Sequence, residues 1–227
     1  MIYRKITTTN KREESRGSRF LDLALTAFAG LGTEAVYAYL LEPALYGSSM
    51  ENWTDVQTIL HWILTCVTWG IFAAMLIKKA QKKCHFPLLE KGRPVGWPRW
   101  CVCLALAALA FAANYISWGG PKIYLEFTRR GPLLFTFQYI YYAFETMLFL
   151  LIILFGQKAC EIWFSKPQIP YGGIICGLTW GLAHAFTKNP LTGIMGLILG
   201  FGMGGIYLLM NRDLKKSYLV LFFLFIV

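Results

Sequence analysis

The chain has 227 residues, of which 56% are hydrophobic and 15% charged, with a formal net charge of +10. So few charges cannot cover the surface of a soluble monomer of this size, and the apolar residues fall in long blocks between short charged segments, which is the pattern of a membrane protein. The basic segments are short and abut apolar blocks, which argues against nucleic acid as a partner and for contact with anionic lipids at the cytoplasmic face.

In chain order, residues 1–19 form a basic arm with Arg4, Lys5, Lys11, Arg12, Arg16 and Arg19. The apolar block at 20–41 carries Asp22 and Glu34. It is longer than the apolar region of a secretory signal, which is about 7–15 residues, so it is expected to be a retained span. Crossing about 30 Å of hydrocarbon takes about 20 apolar residues. Further spans are expected at 56–77, 100–118, 132–155, 171–187 and 190–210. A last block at 217–227 is half a span; a carboxylate there would sit in mid-bilayer, so the block is expected either to lie in the interface or to continue beyond Val227. The expected fold is all-α: one polytopic transmembrane helical bundle over 20–227, with six full spans and a partial seventh.

Lys and Arg alternate with the loops. The arm, the segment 78–99, and the loops around Lys158 and Lys166 and around Arg212, Lys215 and Lys216 hold 18 basic residues. The intervening loops hold only Lys122, Arg129, Arg130 and Lys188. Basic residues concentrate on the cytoplasmic side, so the N-terminus is expected in the cytoplasm of a multi-pass cell-membrane protein. Trp53, Trp97, Trp100, Trp118, Tyr124 and Trp163 stand at span ends, where amphipathic rings anchor to the interface.

Gly196, Gly200 and Gly204 recur every four residues, with Gly193 nearby, and Ala105, Ala108 and Ala112 form a similar stripe. Small residues on one face let a neighbouring backbone approach, a packing device that says little about chemistry. No internal repeat supports an inverted-repeat transporter. The six cysteines suggest no disulfide framework, and Cys84, His85, Cys101 and Cys103 fit no zinc spacing.

The chemistry-bearing candidates are the ionisable residues inside the spans: Glu34, His61, Glu145 and His184. Each costs a few kcal/mol to insert and must find a partner in the bundle. Glu34 shares a face with Ala27, Gly30 and Ala38 and so should point inward. Gln138, Tyr141 and Tyr142 precede Glu145 by seven, four and three residues, which puts all four on one helix face. At about 1.5 Å rise per residue, Glu34, His61 and His184 fall on the order of 10 Å below the outer surface. Two carboxyls and two imidazoles in an outward cavity suit either activation of water or a divalent metal, and no motif specifies a cofactor. For each residue the bland alternative is a hydrogen-bonded interior side chain.

The stretch from Glu145 to the end resembles the CPBP family of CAAX-protease and bacteriocin-processing intramembrane peptidases. Members carry Glu-Glu-x-x-x-Arg on one span, Phe-x-x-x-His on the next, then a glycine-rich span and a His-x-x-x-Asn-like motif. Glu145 stands where a motif glutamate would be, and Trp180-Gly181-Leu182-Ala183-His184 resembles the second motif with Trp for Phe. The span 193–205 and the turn Arg212-Asp213-Leu214 resemble the family's glycine-rich span and the turn after it. Phe144 and Thr146 flank Glu145, Phe149 and Leu150 occupy the arginine positions, and no final histidine is present. The resemblance implies a divergent or inactive intramembrane peptidase acting on a peptide or membrane protein, with Glu145 activating water and His184 positioning it. The alternative is a non-enzymatic membrane protein: a solute- or lipid-binding module, a transporter component or a partner subunit.

Overall fold

Hydrocarbon offers backbone N–H and C=O groups no water, so a chain of this composition must satisfy them within helices. The computed structural model describes residues 2–88 and 92–227, and side chains from residue 13 onward. The side chains of Arg4, Lys5, Lys11, Arg12 and Lys91 lie outside the described residues. Among the described residues every regular element is helical. They are α1 (Ile2–Val36), a π-turn (Tyr37–Leu41), α2 (Glu42–Tyr46), a 3₁₀ turn (Met50–Asn52), α3 (Asp55–Cys84), α4 (Trp97–Trp118), α5 (Lys122–Phe164), α6 (Tyr171–Cys176), a second π-turn (Gly177–Gly181), α7 (Leu182–Thr187), α8 (Pro190–Leu209) and α9 (Leu214–Ile226).

Among the described residues five helical stretches are long and apolar enough to cross a membrane: Glu13–Tyr46, Asp55–Cys84, Trp97–Trp118, Lys122–Phe164 and Pro190–Leu209. The expected span at 171–187 is helical too, but it is assembled from pieces of six, five and six residues around the second π-turn. The block at 217–227 lies in α9, which has 13 residues.

The centre of the bundle is α5. Its residues Leu148 to Phe155 are all buried, and an uninterrupted apolar run can be buried only where neighbours surround the helix on every side. Those neighbours are α1, α3, α6 and α9, while α4 stands at the periphery with Cys103 as its one buried residue. Near its start α5 breaks at Gly131, whose φ of 72° and ψ of 168° no helix accommodates, and Pro132 follows. A residue with a Cβ would be strained there, so glycine permits the short segment before it to fold back against the long one.

Local sequence explains the helix starts. Thr54 and Gln57 form a reciprocal capping box at α3, Asn189 caps α8 ahead of Pro190, and Asp213 caps α9. The α6–α7 segment and α8 form a hairpin closed by glycines. A Cβ on Gly181 would lie 2.5 Å from the backbone of Gly196, and one on Gly200 2.5 Å from that of Gly177. Gly204 meets Gly173 in the same way.

Candidate functional site: a polar chamber at one end of the bundle

The ionisable residues inside the spans gather where α1, α3, α5 and the α6–α7 segment converge. The first wall is built around the π-turn Tyr37–Leu41. A π-turn inserts one residue into the helical repeat and so re-aims the side chains on either side of it. Glu34 lies just before this turn and Glu42 just after it. Glu42 is 2% exposed and His61 3% exposed, and the His61 Nδ1 lies 2.6 Å from Glu42 Oε2. On its other edge the His61 Nε2 is 3.7 Å from Glu34 Oε1, an ion-pair distance rather than a hydrogen bond. Glu34 Oε1 accepts from the Tyr141 hydroxyl at 2.6 Å. The result is a continuous series, Glu42–His61–Glu34–Tyr141, that joins α2, α3, α1 and α5. Trp53 roofs it, with its ring centroid 5.3 Å from that of His61.

The second wall is built around the π-turn Gly177–Gly181, which carries Trp180. The Trp180 indole N–H donates to Glu145 Oε1 at 3.0 Å. The Trp180 carbonyl is 2.8 Å from His184 Nδ1, and the Trp180 and His184 rings meet edge-on at 4.8 Å. A carbonyl oxygen can only accept, so Nδ1 carries the proton, and in the neutral ring Nε2 presents its lone pair. Glu145 and His184 are therefore joined through opposite ends of one tryptophan. Glu145 is a buried residue, and among the described residues no hydrogen-bond donor meets its Oε2. Tyr141, one turn before Glu145 on α5, links the two walls.

Gln138 and Tyr142 do not reach Glu145. They turn to Glu126 on the folded-back start of α5, which is 4% exposed. Glu126 Oε1 accepts from Gln138 Nε2 at 3.1 Å and from the Tyr142 hydroxyl at 3.1 Å, and Oε2 accepts from the Tyr139 hydroxyl at 2.9 Å. Gln138 Nε2 also contacts the Tyr142 hydroxyl closely. Lys122 lies beside this cluster, 5.4 Å from the Tyr142 ring centroid, and donates to the Phe225 carbonyl at 2.9 Å.

Sequence reasoning misses Glu42, Glu126 and the role of Trp180. The first two fall in expected loops, beyond the ends of the spans. The structure carries α1 through its π-turn to Glu42, and folds Lys122–Arg130 back over α5 at Gly131. A glutamate next to Pro43, one helical turn and a π-turn beyond Glu34, gives no periodic signal, because a π-turn resets the helical phase. Trp180 reads in the sequence as a substitute for an apolar motif residue, whereas in the structure its indole N–H donates to Glu145.

Among the described residues no group of three or more His, Cys, Asp or Glu side chains is arranged to hold a metal ion. Gly196, Gly200 and Gly204 lie on the α8 face that meets the α6–α7 segment, behind the wall that carries Trp180. No family model, curated protein or solved structure matches this chain.

Proposed function

We propose that this integral membrane protein is a divergent CPBP-type intramembrane peptidase, acting on a peptide or protein within the membrane. The observation that carries the reading is the placement of Glu145 and His184, the two residues the resemblance matches, on opposite ends of Trp180. In this reading Glu145 activates a water molecule and His184 positions it. The carboxylate takes its proton as the oxygen attacks the scissile carbonyl, and the acid so formed returns that proton to the leaving amine. Tyr141 and the Glu34–His61 pair hold the opposite wall and supply polar contacts to the substrate backbone.

The proposal includes a topology. The α6–α7 segment is a sixth full span and α9 a partial seventh, in a cell membrane with the N-terminus in the cytoplasm. The alternation of Lys and Arg between loops supports this orientation. Anionic lipids would then meet the basic segments at the cytoplasmic face.

The test is hydrolysis of a fluorogenic peptide library by the purified protein in lipid nanodiscs. Glu145→Gln and His184→Asn are each expected to lower the rate by about 100-fold or more. Hydrolysis that survives Glu145→Gln, or none in the wild type, overturns the reading. One observation favours a non-enzymatic binding or partner protein instead: each acid of the cluster already has a protein donor, the half-buried Glu34 from Tyr141, Glu42 from His61, Glu126 from three side chains and Glu145 from Trp180. Under that reading, Glu145→Gln changes stability or the retention of a co-purified solute, and no peptide is cut.

A further inference from the structure

Outside the chamber, α3 and α5 leave a groove of about 410 Å³ between them. Its α3 side runs from Trp62 through Cys66 and Gly70 to Ala74, and its α5 side from Phe137 to Phe144. The twelve helical steps from Trp62 to Ala74, at about 1.5 Å each, make it about 18 Å long, comparable to one leaflet of the hydrocarbon core. The lining is apolar throughout. Val67 and Ile71, at 56% and 63% exposed, open it toward the membrane rather than toward the protein interior.

One end of the groove is different. Trp62 closes it, packed against Tyr141 at a ring distance of 6.3 Å, and the Arg130 guanidinium lies 5.7 Å from the Trp62 ring centroid. Arg130 is exposed, and among the described residues no carboxylate comes within ion-pair distance of it. Glu126, one helical turn before Arg130, and Glu34 both accept from tyrosine hydroxyls instead. Arg129 beside it is directed elsewhere, with its guanidinium 5.7 Å from the Trp118 ring. The rim therefore offers a cation with no ion-pair partner among the described residues, above an apolar trough about one leaflet deep.

We propose that this groove is a specific site for an anionic phospholipid, with its phosphate on Arg130 and an acyl chain along Trp62, Cys66, Gly70 and Phe144. The site stands independently of any hydrolytic activity in the chamber. Trp62 is common to both, since one face closes the groove and the other packs on the tyrosine that holds Glu34.

Native mass spectrometry of the full chain, titrated in detergent with dioleoyl phosphatidylglycerol or dioleoyl phosphatidylcholine, tests it. The wild type is expected to bind phosphatidylglycerol about fivefold more tightly, the value of roughly one interfacial cation. Arg130→Gln should erase that preference while Arg129→Gln keeps it, and Val67→Trp, which fills the trough, should weaken both lipids. Thermal unfolding of each variant identifies any that fail to fold, and Ile71→Trp replaces Val67→Trp if that variant does. Equal binding of the two lipids by the wild type, or a preference that survives Arg130→Gln, overturns the proposal. So does competition by soluble glycerol phosphate, which would make the ligand a free phosphate. A dimer in the same spectra that Val67→Trp dissolves would assign the groove to a second copy of the chain and overturn it as well.

Discussion

Glu42 is nearly fully buried, and among the described residues the imidazole of His61 is the one group that partners its carboxyl. A buried charge that loses its partner bears its whole desolvation cost, whereas removing both partners at once leaves only a packing change. His61→Leu, which leaves the buried Glu42 carboxyl without its partner, is therefore expected to destabilise the protein by about 3–5 kcal/mol. The Glu42→Leu/His61→Leu double variant should be distinctly more stable than the sum of its single variants. Unfolding of the wild type, both single variants and the double variant in micelles gives the coupling, and simple additivity would refute the pairing. His61 can be removed in this way because Glu34, its other neighbour, retains the Tyr141 hydroxyl.

At the scale of elements, the hairpin of α6–α7 with α8 depends on backbone meeting backbone. A Cβ on Gly181 would fall within 2.5 Å of the Gly196 carbonyl carbon and oxygen, atoms that cannot swing aside as a side-chain tip can, whereas Gly205 has nothing within 4 Å. Gly181→Val should cost about 3 kcal/mol or more, and Gly205→Val less than about 0.5 kcal/mol, in the same unfolding assay. Equal losses would mean that helix propensity rather than close approach governs this hairpin. The start of α9 rests on charge instead. Asp213 accepts from the backbone N–H of Lys216 at 3.0 Å and of Gly92 at 3.0 Å, and pairs with Lys216 Nζ at 3.2 Å. Burial pushes its carboxyl up, but the Lys216 and Gly92 donors together with the Lys216 charge outweigh this and hold it below the usual range. A depressed folded value means that the ionised form stabilises the fold above the unfolded value of about 3.9, and that this contribution is lost as pH falls through the folded value. Melting in micelles should therefore show an acid limb beginning near pH 4 that is shallower in Asp213→Asn, which keeps a capping oxygen but has no charge to titrate. An unchanged limb in that variant would assign the acid sensitivity to other groups.

For the whole molecule, the all-helical fold and the apolar helices able to span a membrane were legible in the sequence, because hydrophobic block length is set by the thickness of the solvent. The polar residues were legible as positions that needed partners, and the partners were not. Helical spacing puts Gln138, Tyr141 and Tyr142 on the face of Glu145, but which acid each one meets depends on two π-turns and a break at Gly131, and none of these leaves a periodic trace. The same limit applies to the number of crossings, since residues 171–187 form a helix interrupted by a π-turn and fall short of the length of an ordinary span. Labelling decides it. In a cysteine-free background, Ser49→Cys and Lys188→Cys are expected to react with a membrane-impermeant maleimide on intact cells, and Ser165→Cys and Arg212→Cys only after lysis. Ser49 lies in the loop after α2, Ser165 in the loop after α5, Lys188 between α7 and α8, and Arg212 between α8 and α9. The Ser165–Lys188 pair reports on the short helix alone: if both stay silent until lysis while Ser49 labels, the α6–α7 segment enters and leaves on one side. If Ser165 labels on intact cells and Ser49 does not, the basic loops lie outside, and the orientation argued from Lys and Arg is reversed.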